Sequence, residues 1–154
     1  MDTIDRNELV DKLTIEMLDL IEQQVKCKMN ISNLIAQGQI QIAKTRYTQG
    51  TRTVSTSQLP TENSQEFKAL RTVDRVNNDV GDVQLNLNVE TVNKDDGYVD
   101  PIKWFGILVP QSLQLARDAF QKSIEYSCES ANIQSSLWRT MSNILLLKKQ
   151  ISLD

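Results

Sequence analysis

The helix-breaking residues of this chain are confined to its middle. It has five glycines and three prolines, and all of them lie between Gly38 and Pro110. Residues 1–37 and 111–154 contain neither. Inside a helix, glycine costs about 1 kcal/mol and proline about 3 kcal/mol relative to alanine. Both ends are therefore free to form long helices, and a fold of many short strands joined by tight turns is excluded. The expected fold class is all-α. The N- and C-terminal helices form a long antiparallel hairpin or coiled coil, with a short second helix and a poorly ordered acidic linker. Three segments follow: 1–50 with the long and short helices, 51–99 as linker, and 100–154 with the second long helix. The first and third form one structural unit.

Hydrophobic spacing supports this division. Val10, Met17, Gln24 and Ile31 share one heptad position, and Leu13, Leu20, Cys27 and Leu34 share the other. This is a coiled-coil seam interrupted once, by the polar Gln24. Ile21, Val25 and Ile35 widen the apolar face. Asp5 with Glu8 three residues later reads as a capping box that starts the helix. Gly38 reads as its terminator, giving a rod of roughly 50 Å. A short helix over 39–50 then carries Ile40, Ala43 and Tyr47 on one face and stops at Gly50. In the C-terminal segment Pro110 suits the first helical position. A row with a period near 3.6 follows it: Leu113, Ala116, Phe120, Ile124, Ser127, Ala131, Gln134, Trp138, Met141 and Leu145. The small residues in its middle suit close helix–helix packing. Lys148 and Lys149 suit the negative end of a helix dipole.

The middle is weakly patterned. Residues 51–60 are rich in Thr and Ser and read as extended. Residues 64–75 have the composition of a short helix. Val83, Leu85, Leu87 and Val89 alternate as in a strand. A lone strand is unstable, so it pairs with 51–58, pairs with a partner, or stays disordered, and disorder is the leading expectation.

Composition removes several function classes. The chain has no histidine, which excludes histidine metal sites, Ser-His-Asp and Cys-His catalysis, and imidazole acid–base chemistry. Cys27 and Cys128 are too few for a zinc site or a disulfide framework, and read as small buried or half-buried residues in a reducing compartment. No phosphate-binding glycine loop is present, so no enzyme, cofactor or metal is expected. Net charge is −3, which gives nucleic-acid binding no electrostatic support. The charge is nevertheless segregated. Residues 1–22 carry seven acids and two bases, whereas 23–52 carry five bases and no acid. The apolar runs at 104–109 and 144–147 are far short of a membrane span of about 20 residues, and the acidic N-terminus does not read as a leader, so the chain is expected to be soluble.

The densest apolar and aromatic patch runs from Tyr98 to Pro110 and includes Trp104, Phe105, Gly106 and Leu108. It lies outside helical periodicity. Trp104 and Phe105 are each worth a few kcal/mol when buried. Two readings stand side by side: a staple that folds back onto the hairpin, and an anchor for a partner.

The string DPIKWFGILVPQSLQLARDAF at 100–120 resembles the conserved block of the small coiled-coil assembly factors of the vacuolar proton ATPase, a eukaryotic family. NLIAQGQIQIAKTRYTQG at 33–50 is similar to the family's other block, through Gly38, Ala43, Arg46, Tyr47 and Gly50. Together the blocks cover about a quarter of the chain. The resemblance implies a non-enzymatic assembly factor that is peripheral on the cytosolic face of the endoplasmic reticulum membrane, extending to the endoplasmic reticulum–Golgi intermediate compartment and transport vesicles. It implies a heterodimer with a two-span membrane-anchored assembly factor, indirect membrane contact, and binding to membrane-sector subunits of the pump. The partner-binding residues it suggests are Arg46, Tyr47, Trp104, Phe105, Gly106, Leu108 and Pro110. The periodicity alone also fits a prefoldin-like chaperone subunit or a structural coiled coil.

Overall fold

A computed structural model describes residues 3–77 and 83–153. Two helices dominate: α1, Thr3–Gln49, and α2, Gln111–Ile151. Their cross-contacts show that they run antiparallel. Leu9 and Leu13 of α1 line a shallow cleft with Leu146 and Leu147 of α2. Near the middle, Ser130 Oγ donates to Gln24 Oε1 at 3.2 Å. At the far end Thr45 Oγ1 and Ser112 Oγ are 2.6 Å apart. Thr45 already donates to the Gln41 carbonyl, so Ser112 is the donor of that pair.

The heptad of α1 is observed as read and runs further than expected. Val10, Gln24 and Cys27 are buried, and Leu13, Met17, Leu20, Ile31 and Leu34 are half-buried. The same 3-4 spacing continues through Gly38, Gln41 and Thr45. Helix one and the expected short helix are therefore a single 47-residue helix. Gly38 does not terminate it. A Cβ built on Gly38 would lie 2.6–2.8 Å from the Phe120 ring. Glycine is there so that the two helices can approach, a role that local sequence does not distinguish from a cap. Gly50, at φ +93°, is the residue that ends the helix. At the other end the helix already includes Thr3, so Asp5 lies in its first turn, where a carboxylate favours the dipole, and not at the cap. Ile21, Val25 and Ile35 do not widen the packed face and remain exposed.

The row expected on α2 is displaced by about one position. The buried seam contains Ala116, Ser123, Ser130, Thr140 and Ile144, with Ile133, Leu137 and Leu147 half-buried. Its repeat is 3.5 residues. A straight 3.6-residue row drifts by about 20° per heptad from such a seam. Trp138, Leu145 and Gln134 of the expected row consequently lie outside, with Trp138 62% exposed. The close contact through small residues is present, but Ser123 and Ser130 make it. The polar interruption at Gln24 is satisfied by Ser130. The Cys27 thiol donates to the Tyr126 carbonyl at 3.1 Å. Burial, and then the charge of Glu129, pushes the Cys27 thiol above its ordinary pKa.

The fold is mostly helical but not all-α. Arg71–Asn77 (β1) and Val83–Val89 (β2) form an antiparallel pair, with Val73 opposite Leu87 and Arg75 opposite Leu85. The alternation at 83–89 is a true strand. Its partner is 71–77, not 51–58, where a short 3₁₀ turn spans Thr56–Gln58. The helix expected over 64–75 is absent. Its C-terminal part holds Thr72 and Val73, whose branched side chains fit a pleated sheet, and pairing with β2 overrides the weak local preference for helix. The outer edge of β2 is closed by one side chain. Asn132 of α2 accepts from the Leu85 N–H at 2.8 Å and donates to the Leu85 carbonyl at 2.9 Å. That bidentate amide clamps the sheet to α2, so the chain between the helices carries a docked sheet where a linker was expected. Asn132→Ala should leave both Leu85 groups without a protein partner and cost about 1–2 kcal/mol. Hydrogen exchange should show the Leu85 amide losing protection while the α1–α2 seam keeps it. Among the described residues no helix is long and apolar enough to cross a membrane.

Candidate partner-binding site

Chemistry-bearing surface concentrates where α1 ends and α2 begins. The segment before α2 folds into a 3₁₀ turn, Pro101–Phe105. Asp100 holds it in two ways. One carboxylate oxygen accepts from the Ile102 N–H at 3.1 Å, and the other accepts from Arg117 Nη1 at 2.9 Å. Asp118 binds the same guanidinium. Burial works against the charge of Arg117, but Asp118 and Asp100 outweigh it and raise its pKa. The turn is thereby tied to the first two turns of α2.

Ile102 is the buried residue of this strap. Trp104 and Phe105 are half-buried and line different clefts. Phe105 faces an apolar cleft of about 280 Å³ with Ile42, Val54, Leu113 and Phe120. Trp104 meets the Phe67 ring edge-on at 5.0 Å and borders a larger cleft of about 580 Å³ with Leu59, Pro60 and Val99. Staple and anchor are thus divided among neighbours. Residues 102, 104 and 105 fold the strap down. Gly106 then turns the chain with φ +129°, and Ile107 and Leu108 project fully into solvent, 101% and 93% exposed.

The other residues singled out from the sequence fall at the same end. Tyr47 is 90% exposed in the last turn of α1, beside the exposed Arg46. Pro110 stands one residue earlier than expected, at the N-cap, where its carbonyl accepts from the Leu113 and Gln114 N–H groups. The structure therefore gathers Arg46, Tyr47, Gly106, Leu108 and Pro110 with the strap at one end of the hairpin, a grouping secured by the Thr45–Ser112 contact. Sequence reasoning missed Ile102, the strap's core residue, and Ile107, its most exposed one. The available signal was position: Ile102 follows the Asp-Pro turn, and Ile107 lies between a glycine and a helix-starting proline.

The whole chain has relatives of known name. It is 27% identical to vacuolar ATPase assembly protein VMA22 of Danio rerio, over 96% of this chain and 92% of that protein. The proteins of the same name from Homo sapiens and Mus musculus are 23% and 25% identical, over 89% and 95% of this chain and 88% and 92% of theirs. The chain resembles the vacuolar ATPase assembly factors. No family model matches it. The likeness to VMA22 proteins is not limited to the two blocks around Gly38–Gly50 and Asp100–Phe120. At this coverage it includes the middle of the chain as well.

Proposed function

We propose that this chain is a non-enzymatic assembly factor for the vacuolar proton ATPase, acting on the pump's membrane sector at the endoplasmic reticulum. What supports this most is similarity to named vacuolar ATPase assembly proteins along nearly the entire length of both partners in each comparison. The chain sits on the cytosolic face of that membrane, and on the intermediate compartment and transport vesicles that leave it. It is held there by a membrane-anchored two-span partner and not by its own helices. The strap end is the surface that engages other proteins. Arg46, Tyr47 and Leu108, with Ile107 beside them, make contact, while Trp104, Phe105, Gly106 and Pro110 position them. Exposed apolar side chains on a rigid support suit this role, because a few such anchors dominate interface energy.

Affinity capture from cells tests the reading. The wild-type chain should recover membrane-sector pump subunits and an endoplasmic reticulum membrane protein. The double substitution Ile107→Asp with Leu108→Asp should reduce that recovery by about tenfold or more. Its thermal midpoint should not move, since neither side chain packs on anything. Capture that brings down no pump subunit would overturn the assignment. Undiminished capture by the double variant would move the contact surface elsewhere.

A further inference from the structure

The strap covers only half of a longer apolar surface. Leu18, Ile21 and Val25 on α1 and Trp138, Met141 and Leu145 on α2 are all exposed large apolar residues. They lie on the same side of the hairpin. Ile42 stands three heptads beyond Ile21 in one row, and Leu113 stands four heptads before Met141 in the other. Ile42 and Leu113 line a single cleft beneath the strap. The opposite side of the hairpin at the same level is polar, with Glu16, Asp19 and Gln23 on α1 and Ser136, Arg139 and Asn143 on α2. The uncovered half is therefore continuous with a surface that this chain itself buries at the other end.

The amount of exposed surface is also unusual. The chain exposes 11169 Å². A compact protein of 17.5 kDa exposes about 7,900 Å². The excess is larger than the roughly 1,600 Å² that a stable protein–protein interface buries in total.

Level and charge identify what fits. The Gln24–Ser130 contact sets the level of the two helices. By it, Leu18, Ile21 and Val25 are level with Ser136, Ile133 and Glu129 of α2. The cleft that Leu13 shares with Leu147 likewise puts Trp138, Met141 and Leu145 near the level of Glu22, Asp19 and Ile15. The two apolar trios thus overlap in level, around Leu18 and Ile21 on α1 and Trp138 and Met141 on α2. The charges are complementary at one level as well. Asp5, Glu8 and Asp11 begin α1, while Lys148 and Lys149 end α2 at the same level. Among the described residues neither lysine has an ion-pair partner.

We propose that this face binds a second copy of the chain. Two hairpins pack about a two-fold axis parallel to their helices. α1 of each copy lies antiparallel on α2 of the other, forming a four-helix bundle. Leu18 and Ile21 of each copy then pack against Trp138 and Met141 of the other, and the acidic start of α1 meets the basic end of the other copy's α2. The strap end, with Tyr47, Ile107 and Leu108, stays free for other proteins.

Sedimentation velocity on the full chain tests this, with circular dichroism as the check on folding. The wild type should sediment at twice 17.5 kDa at tens of micromolar. Trp138→Glu should weaken the dimer by about tenfold or more with helicity unchanged. Charge reversal gives the sharper result. Glu8→Lys with Asp11→Lys should be monomeric, and so should Lys148→Glu with Lys149→Glu. An equimolar mixture of the two variants should recover the dimer, because both cross-copy contacts are then opposite in sign. A chain that stays monomeric, including one that takes up only a helix of another protein, would overturn the proposal. So would a dimer that survives Trp138→Glu, or variants that fail to recover on mixing.

Discussion

Gly38→Ala should destabilise the hairpin, by about 1–3 kcal/mol. The sign is the informative part. At an open position inside a helix the same change stabilises by about 1 kcal/mol, because alanine is the better helix former. Here the added methyl would lie within 2.8 Å of three ring atoms of Phe120. Helix separation is set at this point, and the ring cannot retreat without disturbing the strap cleft, which it also lines. Chemical denaturation of Gly38→Ala, Phe120→Leu and the double variant would separate the two contributions. The double variant should be more stable than additivity predicts, because once the ring is gone the methyl keeps only its helix-forming benefit. A Gly38→Ala chain more stable than wild type would show that the helices do not meet at this residue.

Ile102→Ala is expected to cost about 2–4 kcal/mol, the usual range for truncating a core aliphatic side chain. Ile102 is 8% exposed and sits over Leu113 and Ala116, two of the most deeply buried residues of α2. Its backbone N–H also donates to the Asp100 carboxylate that pairs with Arg117, so loosening the side chain loosens the ion pair as well. Trp104→Ala should cost less, since that ring is only half-buried and its described aromatic contact is the edge of Phe67. For a domain of this size each kcal/mol lowers Tm by roughly 2–4 °C. Thermal unfolding therefore ranks the two variants directly. A larger loss for Trp104→Ala than for Ile102→Ala would return the staple to the tryptophan.

The parts legible in the sequence were those set by local period. The α1 heptad was readable because its seam positions are mostly large and apolar, and β2 because its alternation is strict. The α2 seam was misread for a physical reason. The row facing α1 holds Ser123, Ser130 and Thr140, while the row beside it holds Ile124, Trp138, Met141 and Leu145. Hydrophobicity alone selects the richer row, yet close packing of two helices selects the smaller one. β1 was unreadable for a related reason. As the open edge strand it carries Arg71, Asp74 and Arg75, charges that guard an edge and erase the apolar pattern. The candidate site was half legible. The Trp104–Phe105 patch marked the strap, but its apolar composition could not show that Ile102 turns inward and Ile107 outward.

By itself the sequence determined that two long helices occupy the ends and that histidine chemistry is absent. It also determined that an aromatic strap precedes the second helix. These follow from helix propensity, local periodicity and composition, which act over a few residues. Only the tertiary structure decided that Gly38 is a point of approach and not an end, which row of α2 faces α1, and that 71–77 pairs with 83–89. It also decided which strap residues remain exposed. Each of those depends on a partner distant in the chain: Phe120 for Gly38, Gln24 for Ser130, Asn132 for Leu85 and Arg117 for Asp100.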